Sequence, residues 1–240
     1  MAGRETIRAP MRRAFLATTL LLSGCAASNT TVDLKDSGVF IPSLRASLGP
    51  RGGTPSETRP GAALELGISQ ASGSGTQSLA AGQTVMLGSQ SFSGPREISS
   101  DVRATLVDAA ARWRFFGAEE RIGFELLGGL SYANLDFTVA SGGARGSDNF
   151  STLGVTGGVG LLWRLRPGTS AQARMTGFWG ATSNEDAQVT RGELALAQAL
   201  GRNISLRGGY AWWEIRSDRV AGSDLRARLS GPMLGLEFGF

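Results

Sequence analysis

From residue 61 to the end of the chain, apolar residues recur at every second position, the period of a strand with two unlike faces. In residues 61–70, Leu64, Leu66 and Ile68 share a face opposite Glu65. In 101–116, Thr105, Val107, Ala109, Ala111, Trp113 and Phe115 oppose Asp108, Arg112 and Arg114. In 121–137, Ile122, Phe124, Leu126, Leu130 and Tyr132 oppose Glu125 and Ser131. In 150–166, Leu153, Val155, Val159, Leu161, Trp163 and Leu165 oppose Thr152, Thr156 and Arg164. In 170–183, Ala173, Met175 and Trp179 oppose Gln172, Arg174 and Thr176. In 188–200, Leu194 and Leu196 oppose Arg191 and Glu193; in 204–216, Ile204, Leu206, Tyr210 and Trp212 oppose Ser205 and Arg207. The last segment, 225–240, sets Leu234, Leu236, Phe238 and Phe240 against Glu237, with Pro232 marking a bulge or an edge-like weakness. The pattern predicts an all-β chain of eight strands.

The predicted connections alternate in length. Those at 117–120, 167–169 and 201–203 are short; 71–100, 138–149 and 217–224 are longer, and 184–187 is shorter than strict alternation expects. Short turns at one end and long loops at the other fit an antiparallel up-and-down barrel. Three features favour a transmembrane barrel, with the apolar rows facing outward. The polar rows carry both signs of charge, near mid-strand at Glu65, Asp108, Arg112, Glu125, Arg174, Arg191, Glu193 and Arg207, and elsewhere on the same faces at Arg114, Arg164 and Glu237. Such mixed charges suit a paired interior network. The aromatics form two groups, Trp113, Phe115 and Trp163 near the short turns and Tyr132, Trp179, Tyr210 and Trp212 near the long loops, as interfacial girdles require. Small residues on the apolar rows (Ala109, Ala111, Gly157) would fill a dry core badly. The alternative is a soluble barrel with its charges in water.

The N-terminal part changes the reading of the charge. The chain carries +4, but Arg4, Arg8, Arg12, Arg13 and Glu5 lie in residues 1–24; without them 20 basic and 19 acidic residues remain. The high isoelectric point therefore does not point to nucleic acid. Arg12 and Arg13 precede the apolar run from Ala14 to Leu22, too short to span a bilayer but suited to a signal-peptide core, with Met11 as a second possible start. "LSGC", Leu22 to Cys25, resembles the bacterial lipobox, which implies lipidation of Cys25 as the first mature residue. Ordinary cleavage after Ala27 is the alternative. Residues 25–60 are polar and rich in Gly and Pro, and read as a flexible periplasmic tether; Val39 to Leu48 could form a short strand that Pro42 demotes to an edge. The predicted organisation is a signal peptide at 1–24, a tether at 25–60 and a barrel at 61–240.

The ending "GPMLGLEFGF" places Gly235, Phe238 and Phe240 as the final strand of outer-membrane barrels places its glycine, apolar residue and terminal aromatic; Met233 stands where a polar residue is expected. With the strand pattern, this resembles the small eight-stranded outer-membrane barrels of the OmpA-transmembrane-domain and OmpX type. The resemblance implies the outer membrane of a Gram-negative cell, contact with outer-membrane lipids, and recognition of the last strand by the barrel-assembly machinery; the even strand count expected here puts both termini on the periplasmic side.

Candidate chemistry is sparse. The chain has no histidine and one cysteine, Cys25, which excludes histidine-based hydrolysis, an internal disulfide and a multi-cysteine metal site. "GGVG" at 157–160 lies within a strand pattern and is weak as a nucleotide signal. No catalytic residue, metal or cofactor is assigned. The leading expectation is a non-catalytic barrel with a structural or surface-interaction role, its interior filled by side chains, meeting an unknown surface partner through the 71–100 loop. Alternatives are a narrow channel or carrier of small apolar molecules, with Val85 to Phe92 extending the wall, a lipid-anchored lipocalin-like binder, and a lipid-modifying enzyme.

Overall fold

A computed structural model describes residues 39–49, 61–87, 89–117, 121–181, 185–219 and 225–240. The proposed signal peptide, Cys25 and much of the tether lie outside these residues. The described chain is all β, and the alternation read above is its organising rule. The strands are β1 (Ile41–Leu48), β2 (Gly61–Leu79), β3 (Thr84–Leu87), β4 (Gln90–Ser93), β5 (Arg96–Phe116), β6 (Ile122–Ser141), β7 (Ala144–Arg166), β8 (Thr169–Ala181), β9 (Glu185–Ala199), β10 (Ile204–Arg219) and β11 (Leu225–Gly239). Nine of them close a barrel in the order β1-β11-β10-β9-β8-β7-β6-β5-β2, and β3 and β4 form a separate hairpin.

The expected count of eight is therefore corrected to nine. The ninth strand is β1, assigned above to the tether. It pairs in parallel with β11, from Ile41 opposite Met233 to Ser47 opposite Gly239, and antiparallel with β2, from Ser43 opposite Ser69 to Leu48 opposite Leu64. An odd number of strands cannot alternate all the way round, so one pair must be parallel. Pro42 is the second residue of β1, where a missing N–H is tolerated. Pro232 causes no register shift either; it faces Tyr210, one position above Met233, where β1 joins. The last strand consequently does not close against the first residues of β2, because β1 lies between them.

The connections from β5 to β6, from β7 to β8 and from β9 to β10 share one end of the barrel with the C-terminus. There the Gly49 N–H donates to the Phe240 carbonyl (3.2 Å), and the Phe240 N–H to Ser47 (2.9 Å). At the opposite end the described residues of the expected long loops are mostly strand. β6 and β7 meet through Gly142 and Gly143, both at positive φ, a tight turn that glycine adopts without strain. Residues 71–100 form the upper parts of β2 and β5 with the β3–β4 hairpin between them. The hairpin does not extend the wall. Its Val85, Leu87 and Phe92 are buried, and it lies against Gly146 of β7, where an added Cβ would crowd Leu87 and Phe92.

Which face is apolar reverses partway along the strands. On β5 the outward residues near the turns are Val107, Ala109, Ala111, Trp113 and Phe115; farther up they are Glu97, Ser99, Asp101 and Arg103. The inward residues reverse in step, from Asp108, Arg112 and Arg114 to Ile98, Val102, Ala104 and Leu106. β6 changes between Tyr132 and Asn134, β7 between Leu153 and Ser151, β10 between Trp212 and Glu214, and β2 between Ile68 and Gln70. The barrel thus has two storeys. The lower one, at the turn end, is apolar outside and charged inside. The upper one is polar outside with an apolar core inside, capped by the hairpin. Above Ile41, β2 and β11 have no ladder between them among the described residues.

Candidate functional site

The lower lumen is the densest concentration of chemistry in the described chain. Inward positions at spacing two bring arginines and carboxylates from separate strands to one level. Arg174 of β8 is its hub: Nη1 lies 2.5 Å and Nη2 3.2 Å from the two oxygens of Glu65 on β2, and Nη2 lies 2.5 Å from Glu125 on β6. Arg112 donates to Glu65 (2.8 Å) and to Ser47 (3.0 Å), and Arg114 to Glu125 (2.8 Å). Arg207 of β10 donates to Glu193 of β9 (2.6 Å). Glu237, 1% exposed, is held by Arg112 at 3.5 Å and Arg207 at 3.7 Å, spacings that water commonly bridges. β7 makes room: at Gly160 a Cβ would stand 3.1 Å from Glu125 Oε1.

One level higher, Asp108 accepts from Arg191 (2.9 and 3.0 Å) and from Ser131 (2.5 Å). Arg191 also donates to Ser69 and Thr176, and its guanidinium lies 5.6 Å from the centroid of the Trp213 ring. Trp213 is buried at the floor of the upper core, so this cation–π contact joins the two storeys.

Ten of the eleven interior charges expected from the sequence meet in these pairs. Arg164 lies nearer the turn end, half-buried beside the 167–168 turn, where its main-chain N–H donates to Arg121 (2.7 Å). Arg45 and Ser47 join the cluster from outside the expected set, because they fall in the segment that the sequence pattern assigns to the tether. Arg45 grips Glu193 through both oxygens (3.0 and 2.7 Å). The signal was present: Ser43, Arg45 and Ser47 alternate with Pro42, Leu44 and Leu48. The girdle residues Trp113, Phe115, Trp163, Tyr132, Trp179, Tyr210 and Trp212 are all exposed on the outer face of the lower storey. Gly235 faces inward against Ser43, Phe238 faces outward, and Phe240 is exposed at the turn end.

Chemically the lumen is a set of ion pairs, in which both Glu237 oxygens and the Nε and Nη1 of Arg207 make no direct hydrogen bond among the described residues. The clustered carboxylates each face one or more guanidinium groups, and no group of three potential metal-ligating His, Cys, Asp or Glu side chains occurs among the described residues. Between the charged level and the apolar core lies a cavity of about 50 Å³, bounded by Arg45, Asp108, Arg191, Trp213 and Met233. That volume suits a few water molecules but no larger solute. In planar bilayers the protein is expected to give no stable conductance; reproducible unitary steps would show that the lumen is not filled. Outside the lumen, the hydrogen bond from Arg216 holds the Glu214 carboxyl below its ordinary value. Comparison with protein-family models, with curated proteins and with solved structures found no match to this chain.

Proposed function

We propose that this protein is a non-catalytic outer-membrane β-barrel. Its lower storey crosses the bilayer, and its upper storey stands in water as a core-filled support for a surface-interaction role. The observation that carries this reading is the polarity reversal along the strands. Outward Leu126, Leu130, Val155, Val159, Leu161, Leu194, Leu196 and Leu236 form an exposed apolar belt. A belt of this extent round a monomer is hard to reconcile with water on all sides. Its outward runs, such as Ile122–Tyr132, match the roughly 9–11 residues a tilted strand needs to cross a bilayer. Charges inside and aromatics at the belt's edges belong to the same arrangement.

A channel or carrier fits less well, because charges fill the lower lumen and side chains fill the upper core. A lipocalin-like binder would need the upper core empty, and the β3–β4 hairpin occupies it. Surface contact falls to the upper storey, whose outward faces carry Ser72, Ser74, Asp101, Arg103 and Arg145. The test is accessibility in intact vesicles. With Cys25 replaced by Ser, a charged maleimide should modify Ser99→Cys and Ser147→Cys and spare Leu130→Cys and Leu194→Cys. Equal modification at all four sites would sink the membrane reading.

A further inference from the structure

The outward face of β10 and β11 changes character in a fixed vertical order. Tyr210 faces Pro232 and donates from its hydroxyl to Ser230 (3.0 Å); Trp212 faces Ser230. The next outward pair is Glu214 with Arg228, and the next is Arg216 with Arg226. The two levels directly above the aromatics thus set three arginines and one carboxylate, Glu214, on the outward face of β10 and β11.

Among the described residues of these two levels, the three arginines face one carboxylate, Glu214. Glu214 accepts from Arg216 (3.0 and 2.5 Å), and Arg228 comes only within 3.8 Å of it. Arg228 and Arg216 remain exposed, with side chains 58% and 46% accessible. The far side of the upper storey is different. There Arg103 faces Asp136, and Asp101 lies on the same face.

Height supplies the occupant. At about 3.3 Å per residue along strands tilted by about 40°, Arg228 lies about 5 Å and Arg226 about 10 Å above the Trp212 level. Interfacial aromatics sit at headgroup depth, and the polar layer beyond the hydrocarbon is several ångströms thick. If the lower storey is in the bilayer, as proposed above, these guanidinium groups stand where lipid phosphates lie. We infer that Arg216, Arg226 and Arg228 form a docking site for the phosphates of anionic lipid headgroups, orienting the barrel against the leaflet on its hairpin side. Guanidinium forks suit phosphate oxygens better than a point charge does.

The test uses the full chain in phosphatidylcholine micelles with added phosphatidylglycerol, with retained lipid counted by native mass spectrometry. The triple variant Arg216→Gln, Arg226→Gln, Arg228→Gln should lose affinity for phosphatidylglycerol about fivefold per arginine removed. Phosphatidylcholine retention should stay unchanged. A control triple on the far side, Arg96→Gln, Arg103→Gln, Arg145→Gln, should keep the anionic lipid. Equal loss in both triples, no loss in the first, or displacement of the lipid by inorganic phosphate overturns the site. Failure of the unsubstituted protein to insert into vesicles overturns the membrane reading instead, and the two failures are distinct.

Discussion

Replacing Glu65 with Gln is expected to remove about 3–5 kcal/mol of folding stability, measured by urea unfolding of the barrel refolded in lipid vesicles. The side chain keeps its shape and loses only its charge. Arg112 at 2.8 Å, Arg174 at 2.5 Å and Arg45 at 3.8 Å then face one another across a site almost closed to water. The cluster of Arg45, Arg112, Arg114, Arg174, Arg191 and Arg207 against Glu65, Asp108, Glu125, Glu193 and Glu237 already holds one more cation than anion. Loss of Glu65 widens that imbalance where desolvation is greatest. Adding Arg174→Gln restores the original excess, so the double variant should be more stable than the sum of the two single losses predicts, with a coupling of about 1 kcal/mol or more. A loss under about 1 kcal/mol for Glu65→Gln, or strict additivity, would mean that the pairs are screened by water and do not hold the barrel.

The same cluster explains the strand count. In an eight-stranded barrel β11 would lie directly beside β2, bringing Glu237 and Glu65 toward each other. In the nine-stranded barrel Arg45 stands opposite Glu237 and Ser47 opposite Glu65. β1 thus inserts a cation and a hydroxyl between two carboxylates. Local sequence shows the alternation of β1 but not this need, which appears only once both neighbours are known. The interior charges were legible for the converse reason: each stands opposite a continuous apolar row within its own strand. Which arginine meets which carboxylate was not legible, because that depends on strand number and stagger.

The upper storey hid for a different reason. Its outward residues on β2, Gln70, Ser72, Ser74, Thr76 and Ser78, are small and polar, and its inward Gly73 and Gly75 show no apolar row. Such a stretch has the composition of a loop. Only its partner strand, with Ile98, Val102 and Ala104 inward, reveals a wall. Reversal of phase within one strand is also invisible to a reading that fixes one apolar face per segment.

That reversal gives the second large effect. Val159 and Ser147 both point outward on β7, Val159 in the middle of the apolar belt and Ser147 in the upper storey. Val159→Arg should cost about 2–4 kcal/mol, the cost of a cation near the middle of a bilayer. Ser147→Arg should change stability by no more than about 0.5 kcal/mol, as surface substitutions usually do. Val159 is 56% exposed, so in a water-soluble barrel its replacement by arginine would be as mild as that of Ser147, or even favourable to solubility. Urea midpoints of the two variants in vesicles therefore separate the two solvents directly. Coincident midpoints would return the lower belt to water, and with it the girdles, the headgroup site and the outer-membrane reading. A gap confined to Val159→Arg would set the bilayer boundary between the two positions, close to the Ser151–Leu153 step where the strand itself changes face.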